Sequence, residues 1–200
     1  SAASDVYKRQ PEGWQVTPCE NPVLLCVTAN GELAGTVERF NYPLTDIDLA
    51  AEVNPTSGAE LEYLRAWVVE HYRAIESDRQ LADGSLIFTS EPPVEISVGG
   101  LPGLRYRFRS THPDGTLFER YVGYVATDGE LLHLFVTGVI NGDYAGVFGD
   151  NTALTEFEPY LDELIQELSL SGASARDLAS AYLTAIAEYT GGNDSTHDPV

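Results

Sequence analysis

The sequence predicts an α+β domain: an antiparallel β-sheet of about six to seven strands covered by helices, with an extra helix near the C-terminal end. Three observations carry that expectation. Residues 104–139 form three runs of strand character separated by His112-Pro113-Asp114-Gly115 and Thr127-Asp128-Gly129-Glu130, and Asp-Gly supplies the positive φ that a tight, right-twisted hairpin needs. Asn30-Gly31 marks another hairpin, flanked by Cys26-Val27 and Thr36-Val37. Two longer stretches, 57–79 and 155–168, place apolar residues at helical spacing instead.

In chain order, residues 14–28 read as two strands, and Asn30-Gly31 turns the chain into a third over 33–40. Residues 42–55 hold two prolines and an acidic cluster and read as a loop. The helix over 57–79 carries Leu61, Leu64, Trp67, Val68, Tyr72 and Ile75 on one stripe. Short strands follow at 86–90 and 94–98, and Pro92-Pro93 between them mark an edge or a bend. The glycine-rich stretch 99–103 leads into the meander. In the helix over 155–168, Thr155 and Glu158 stand at capping-box spacing, with Pro159 in the first turn. Its stripe is Phe157, Leu161, Leu164, Ile165 and Leu168. Ser174 and Asp177 open the last helix, over 174–189, which Gly191-Gly192 closes. Residues 192–200 read as a loose polar tail.

Residues 1–10 resemble the translated sequencing-adapter stretch, ending in Val-Tyr-Lys-Arg-Gln, found at the ends of proteins predicted from metagenomic reads. Lys8 is the only lysine in the chain, against ten arginines, and there is no methionine. These residues are therefore set apart as a non-native leader. The domain is expected to span 11–170, with a signal or lipid-anchored segment ahead of it compatible with the sequence. No apolar run approaches the length of a membrane span.

Thirty-one acidic residues against eleven basic ones give a net charge of −20. Nucleic acid and anionic membrane surfaces are poor partners for such a chain, since both need clustered cations. The charge fits solubility, a cationic partner or calcium. The loop at 141–146 begins like a calcium loop but has Ala145 at its fifth position and Thr152 at its twelfth. No metal site and no cofactor are expected, and there is no HExxH, GxSxG or P-loop motif.

Cys19 and Cys26, the only cysteines, lie across a turn at Glu20-Asn21-Pro22. They are either a disulfide or two buried thiols, and an even count on adjacent strands favours the bridge.

The one concentrated positive feature is Arg105-Tyr106-Arg107-Phe108-Arg109. Strand alternation puts Arg105, Arg107 and Arg109 on one face and the two rings on the other. A bulged turn at Pro113-Asp114-Gly115 sets Arg109 opposite Glu119 and Arg107 opposite Tyr121. The strip is either an anion-binding site, exploiting the planar fork of arginine, or a solvated face of cross-strand charge pairs. His133 stands among apolar neighbours, opposite Tyr124 if the turn is centred on Asp128-Gly129. It is either a satisfied structural histidine or part of a small-ligand or hydrolytic pocket between sheet and helix. Leu178, Tyr182, Ile186 and Tyr189 form an apolar stripe that needs cover from the same chain or from a second copy.

The order of elements resembles the PsbP/Mog1/DcrB-like superfamily. The points of contact are Pro11-Glu12-Gly13-Trp14 opening the first strand, Arg105-Tyr106-Arg107-Phe108 entering the meander, and 157–168 closing it; the helix at 174–189 is a departure. The resemblance implies a largely non-enzymatic role, as an accessory or binding protein of the cell envelope or a lumen that engages a protein partner. It implies no catalytic residue.

Overall fold

The structure, a computed structural model, describes residues 12–21, 24–49, 58–140, 148–168 and 170. Residues 1–10, the helix expected over 174–189 with its apolar stripe, residues 192–200 and the calcium-like loop at 141–146 lie outside the described residues.

Eight strands form one antiparallel sheet: β1 (Trp14–Pro18), β2 (Leu24–Ala29), β3 (Glu32–Pro43), β4 (Ile87–Ser90), β5 (Val94–Val98), β6 (Leu101–Thr111), β7 (Leu117–Thr127) and β8 (Leu131–Ile140). The order across the sheet is β1-β2-β3-β8-β7-β6-β4, and β5 also pairs with β6. Helix α1 (Glu60–Ala82) lies on one face and helix α2 (Asn151–Glu167) on the other. The turns explain much of the register. Asn30 and Gly31 both take positive φ, 52° and 82°, as do Gly99 (57°) and Gly100 (79°), so each pair makes a two-residue hairpin. Pro92 and Pro93 split the edge into β4 and β5, where missing N–H groups cost no ladder bonds.

Strand alternation divides the core. Tyr106, Phe108, Leu104, Val125, Leu132 and Leu134 face Tyr63, Leu64 and Val68 of α1. Val122, Tyr124, Ala126, Phe135 and Val139 face Leu154, Phe157, Leu161, Leu164 and Ile165 of α2. Each Val, Leu, Ile and Phe among them contributes about 1.5–3 kcal/mol by leaving water. Trp14 stacks on Phe157 with ring centroids 5.8 Å apart, tying β1 to α2. Phe148 enters the same layer. Its amide donates to Gly138 O at 2.7 Å, and its ring occupies the space a Cβ on Gly35 would need.

Three expectations are corrected here. At the turn the expected register holds, with Thr111 opposite Leu117, but a bulge then slips it by one and leaves Phe118 unpaired. Phe118 packs edge-on against His112, 5.7 Å away. Beyond the bulge Arg109 faces Arg120, Arg107 faces Val122, and Glu119 faces Ser110. At the next hairpin the Asp128 carboxylate accepts from the amides of Glu130 and Leu131. That capped loop is longer than a two-residue turn, so His133 pairs with Ala126 rather than Tyr124. Finally, α2 starts one turn earlier than expected. Asp150 is its N-cap, accepting from Ala153 N at 2.8 Å, so Thr155 and Glu158 are interior and Pro159 is well inside the helix.

Candidate functional site: an arginine cleft beside a helix

The slip at Phe118 sends alternate residues of β7 to opposite faces from those expected. Glu119 turns toward α1, where it is fully buried and accepts two hydrogen bonds from Arg79 (2.6 and 2.9 Å) and one from Ser110 (2.8 Å). Arg120 takes its place on the face of Arg105, Arg107 and Arg109. Four guanidinium groups from two neighbouring strands are thereby gathered beside α2.

Helix periodicity supplies their counter-charges. Glu158 and Asp162, one turn apart, both look at the sheet. Glu158 divides its two oxygens: Oε1 accepts from Arg107 Nε at 2.6 Å, and Oε2 accepts from Arg120 at 2.9 Å. Arg120 also donates to Asn151 Oδ1 (2.7 Å) and Thr155 Oγ1 (3.0 Å), so each of its three nitrogens has a partner. Arg105 pairs with Asp162 at 2.5 Å, and the Tyr124 hydroxyl donates to the same carboxylate. Burial, reinforced by the Asp162 charge, pushes the Tyr124 phenol well above its ordinary range and keeps it a donor. Burial opposes the charge on Arg107, but Glu158 and then Glu91 outweigh it, and the guanidinium is held more firmly protonated than usual.

Arg109 is different. It is exposed and directly opposite Arg120, and among the described residues no carboxylate is placed on it. A cleft of about 170 Å³ opens there, lined by Thr89, Glu91, Arg107, Phe108, Arg109 and Arg120. Like charges directly opposite across two strands repel, and among the described residues none is bonded to the five N–H donors of Arg109.

The other residues singled out from sequence do not join this site. Tyr121 lies on the α1 face, stacked on Phe108 at 5.2 Å. His133 is fully buried near the far end of β8, with Nε2 bonded to Asp128 Oδ2 at 2.8 Å. Asn41, oriented so that its amide nitrogen donates, reaches His133 Nδ1 at 3.0 Å, and its oxygen accepts from Arg39. Sequence reasoning missed Arg120 and Glu158. Arg120 depends on the bulge, and Glu158 stands at capping-box spacing from Thr155. Its helical position, one turn ahead of Asp162, was the signal available. Cys19 and Cys26 are bonded to each other, with Cα atoms 5.2 Å apart. No helix among the described residues is long and apolar enough to cross a membrane, and none of their His, Cys, Asp and Glu side chains group to hold a metal ion.

The sequence matches no known protein family and no curated protein. Among solved structures, the chain is similar to cyanobacterial PsbP (CyanoP) from Synechocystis sp. PCC 6803, at 12% identity and TM-score 0.40, over 78% of this chain and 80% of that one. It is also similar to the protein of unknown function PA94 from Pseudomonas aeruginosa, at 9% identity and TM-score 0.33, over 80% of this chain and 99% of that one.

Proposed function

We propose that this chain is a non-catalytic accessory protein that works outside the cytoplasm and binds a protein partner through the arginine face beside α2. The observation that carries the reading is Arg109, an exposed guanidinium that lines a cleft and has no carboxylate on it among the described residues, in a chain of net charge −20. A protein so acidic repels most anions at long range, so a cationic cleft selects an anionic group that arrives within a larger matching surface. The Cys19–Cys26 bridge supports an oxidising compartment such as the periplasm, the envelope or a lumen.

The test is capture from an envelope extract of the source organism by the wild-type chain and by Arg109→Glu. The variant should keep its thermal midpoint, because Arg109 holds no ion pair among the described residues, and should lose one partner that the wild type retains. Capture of the same set of proteins by both would refute the reading.

A further inference from the structure

We infer that the cleft at Arg109 is a subsite for a single carboxylate, supplied by an acidic side chain of the partner; this rests on the binding reading above and names the group that it takes. Charge, size and donor geometry each point there.

Charge comes first. Arg107, Arg109 and Arg120 line the cleft with three positive charges. Glu158 spans Arg107 and Arg120, and Glu91 stands at the rim, 62% exposed and 3.7 Å from Arg107. Two negative charges against three leave one positive charge over. A monoanion brings the site to neutrality. A phosphate dianion overshoots and meets Glu91 and Glu158 as like charges.

Size is the second limit. About 170 Å³ is well below the 300–1,000 Å³ of clefts that enclose whole small ligands. It admits the end of a side chain and leaves the remainder of the ligand outside, as on a protein surface.

Donor geometry is the third. Arg109 offers a planar fork, which matches a carboxylate with two parallel hydrogen bonds. Thr89 lies directly opposite Arg109 across the β4–β6 pair and lines the same cleft. The neighbouring guanidinium groups are already committed. Arg120 is held by Asn151, Thr155 and Glu158, and Arg107 by Glu158. An arriving carboxylate therefore meets two committed guanidinium groups and one fork that is free among the described residues, and it relieves the repulsion between Arg109 and Arg120.

The full chain, labelled with ¹⁵N, can be titrated with N-acetyl-glutamate α-methylamide, its glutamine counterpart and inorganic phosphate, following the arginine Nε–Hε signals. The glutamate compound should shift the Arg109 signal saturably in the millimolar range and leave Arg65 and Arg73 in place. The glutamine compound should do nothing, and phosphate should bind at least five-fold more weakly. Arg109→Gln should abolish the remaining response at Arg107 and Arg120. Equal response to glutamine, tighter binding of phosphate, or no saturable shift would each overturn the assignment. If glutamate fails while Arg109→Glu still loses its captured partner, the carboxylate assignment falls and the binding role stands. If glutamate saturates while both proteins capture the same set, the subsite stands and the protein-binding role falls.

Discussion

Removing the Glu158 carboxylate is the sharpest perturbation of the arginine face. Its side chain is 11% exposed and is shared by two guanidinium groups, Arg107 at 30% exposure and Arg120 at 19%. Breaking a buried ion pair by deleting one partner costs about 3–5 kcal/mol, since the other charge is left behind. Here Arg107 can rehydrate in part, and Arg120 keeps Asn151 and Thr155. The cost of Glu158→Ala is therefore set at about 2–3 kcal/mol. Glu158→Gln keeps an acceptor and loses only the charge, so it should cost roughly half as much. In urea, with a slope of about 2 kcal/mol/M, the alanine variant should unfold at a midpoint about 1–1.5 M lower. A further expectation separates this account from loss of packing alone. With Glu158 gone, three like charges crowd one cleft, so Arg109→Ala should recover about 0.5 kcal/mol or more in that background while being nearly neutral in the wild type. A midpoint for Glu158→Ala within about 0.3 M urea of wild type, or strict additivity with Arg109→Ala, would refute the reasoning.

Other consequences can be measured in the same way. Burial pushes His71 down to about 4 from its usual 6.5. Between those values the unfolded chain takes up a proton that the folded chain does not, so the His71 contribution is complete above pH 6.5 and is lost as pH falls toward 4. Wild type should lose about 2–3 kcal/mol more than His71→Phe over that window in urea titrations, and parallel pH profiles would count against it. Replacing Cys19 and Cys26 with serine opens a short loop and should cost about 2.5 kcal/mol on the chain-entropy estimate, read as a lower urea midpoint that reductant no longer changes. A Cβ on Gly123 would lie 2.1 Å from the fully buried Tyr106 ring. Gly123→Ala should therefore cost about 3 kcal/mol or more, whereas Gly115→Ala, with open space but a φ of 86°, should cost about 1–2 kcal/mol.

The sheet and both helices beside it were legible because their signals are local. Asn-Gly and Asp-Gly require positive φ, and the stripes of Leu64, Val68, Leu161 and Ile165 have a helical period. The candidate site was legible only in part. Arg105, Arg107 and Arg109 share a face by strand alternation, which no turn can undo. Their partners depended on one extra residue, Phe118, whose bulge carries Glu119 to the Arg79 side and Arg120 to the arginine side. An Asp at position 150 outcompeted Thr155 for the helix start and moved Glu158 from a cap into the cluster. His133 and Tyr124 were separated in the same manner, by an Asp128 loop longer than its Asp-Gly suggested. Each miss is a displacement of a residue or a turn with a large chemical consequence.

The central claim is that one guanidinium of the cluster stands ready while its neighbours are occupied. Hydrogen exchange of the arginine Nε–Hε groups, read by NMR on the free protein, tests it most directly. The account predicts slow exchange for Arg107, bonded to Glu158, and for Arg120, bonded to Asn151, with Arg109 exchanging as fast as a free arginine side chain. Protection of Arg109 equal to that of its two neighbours would contradict it.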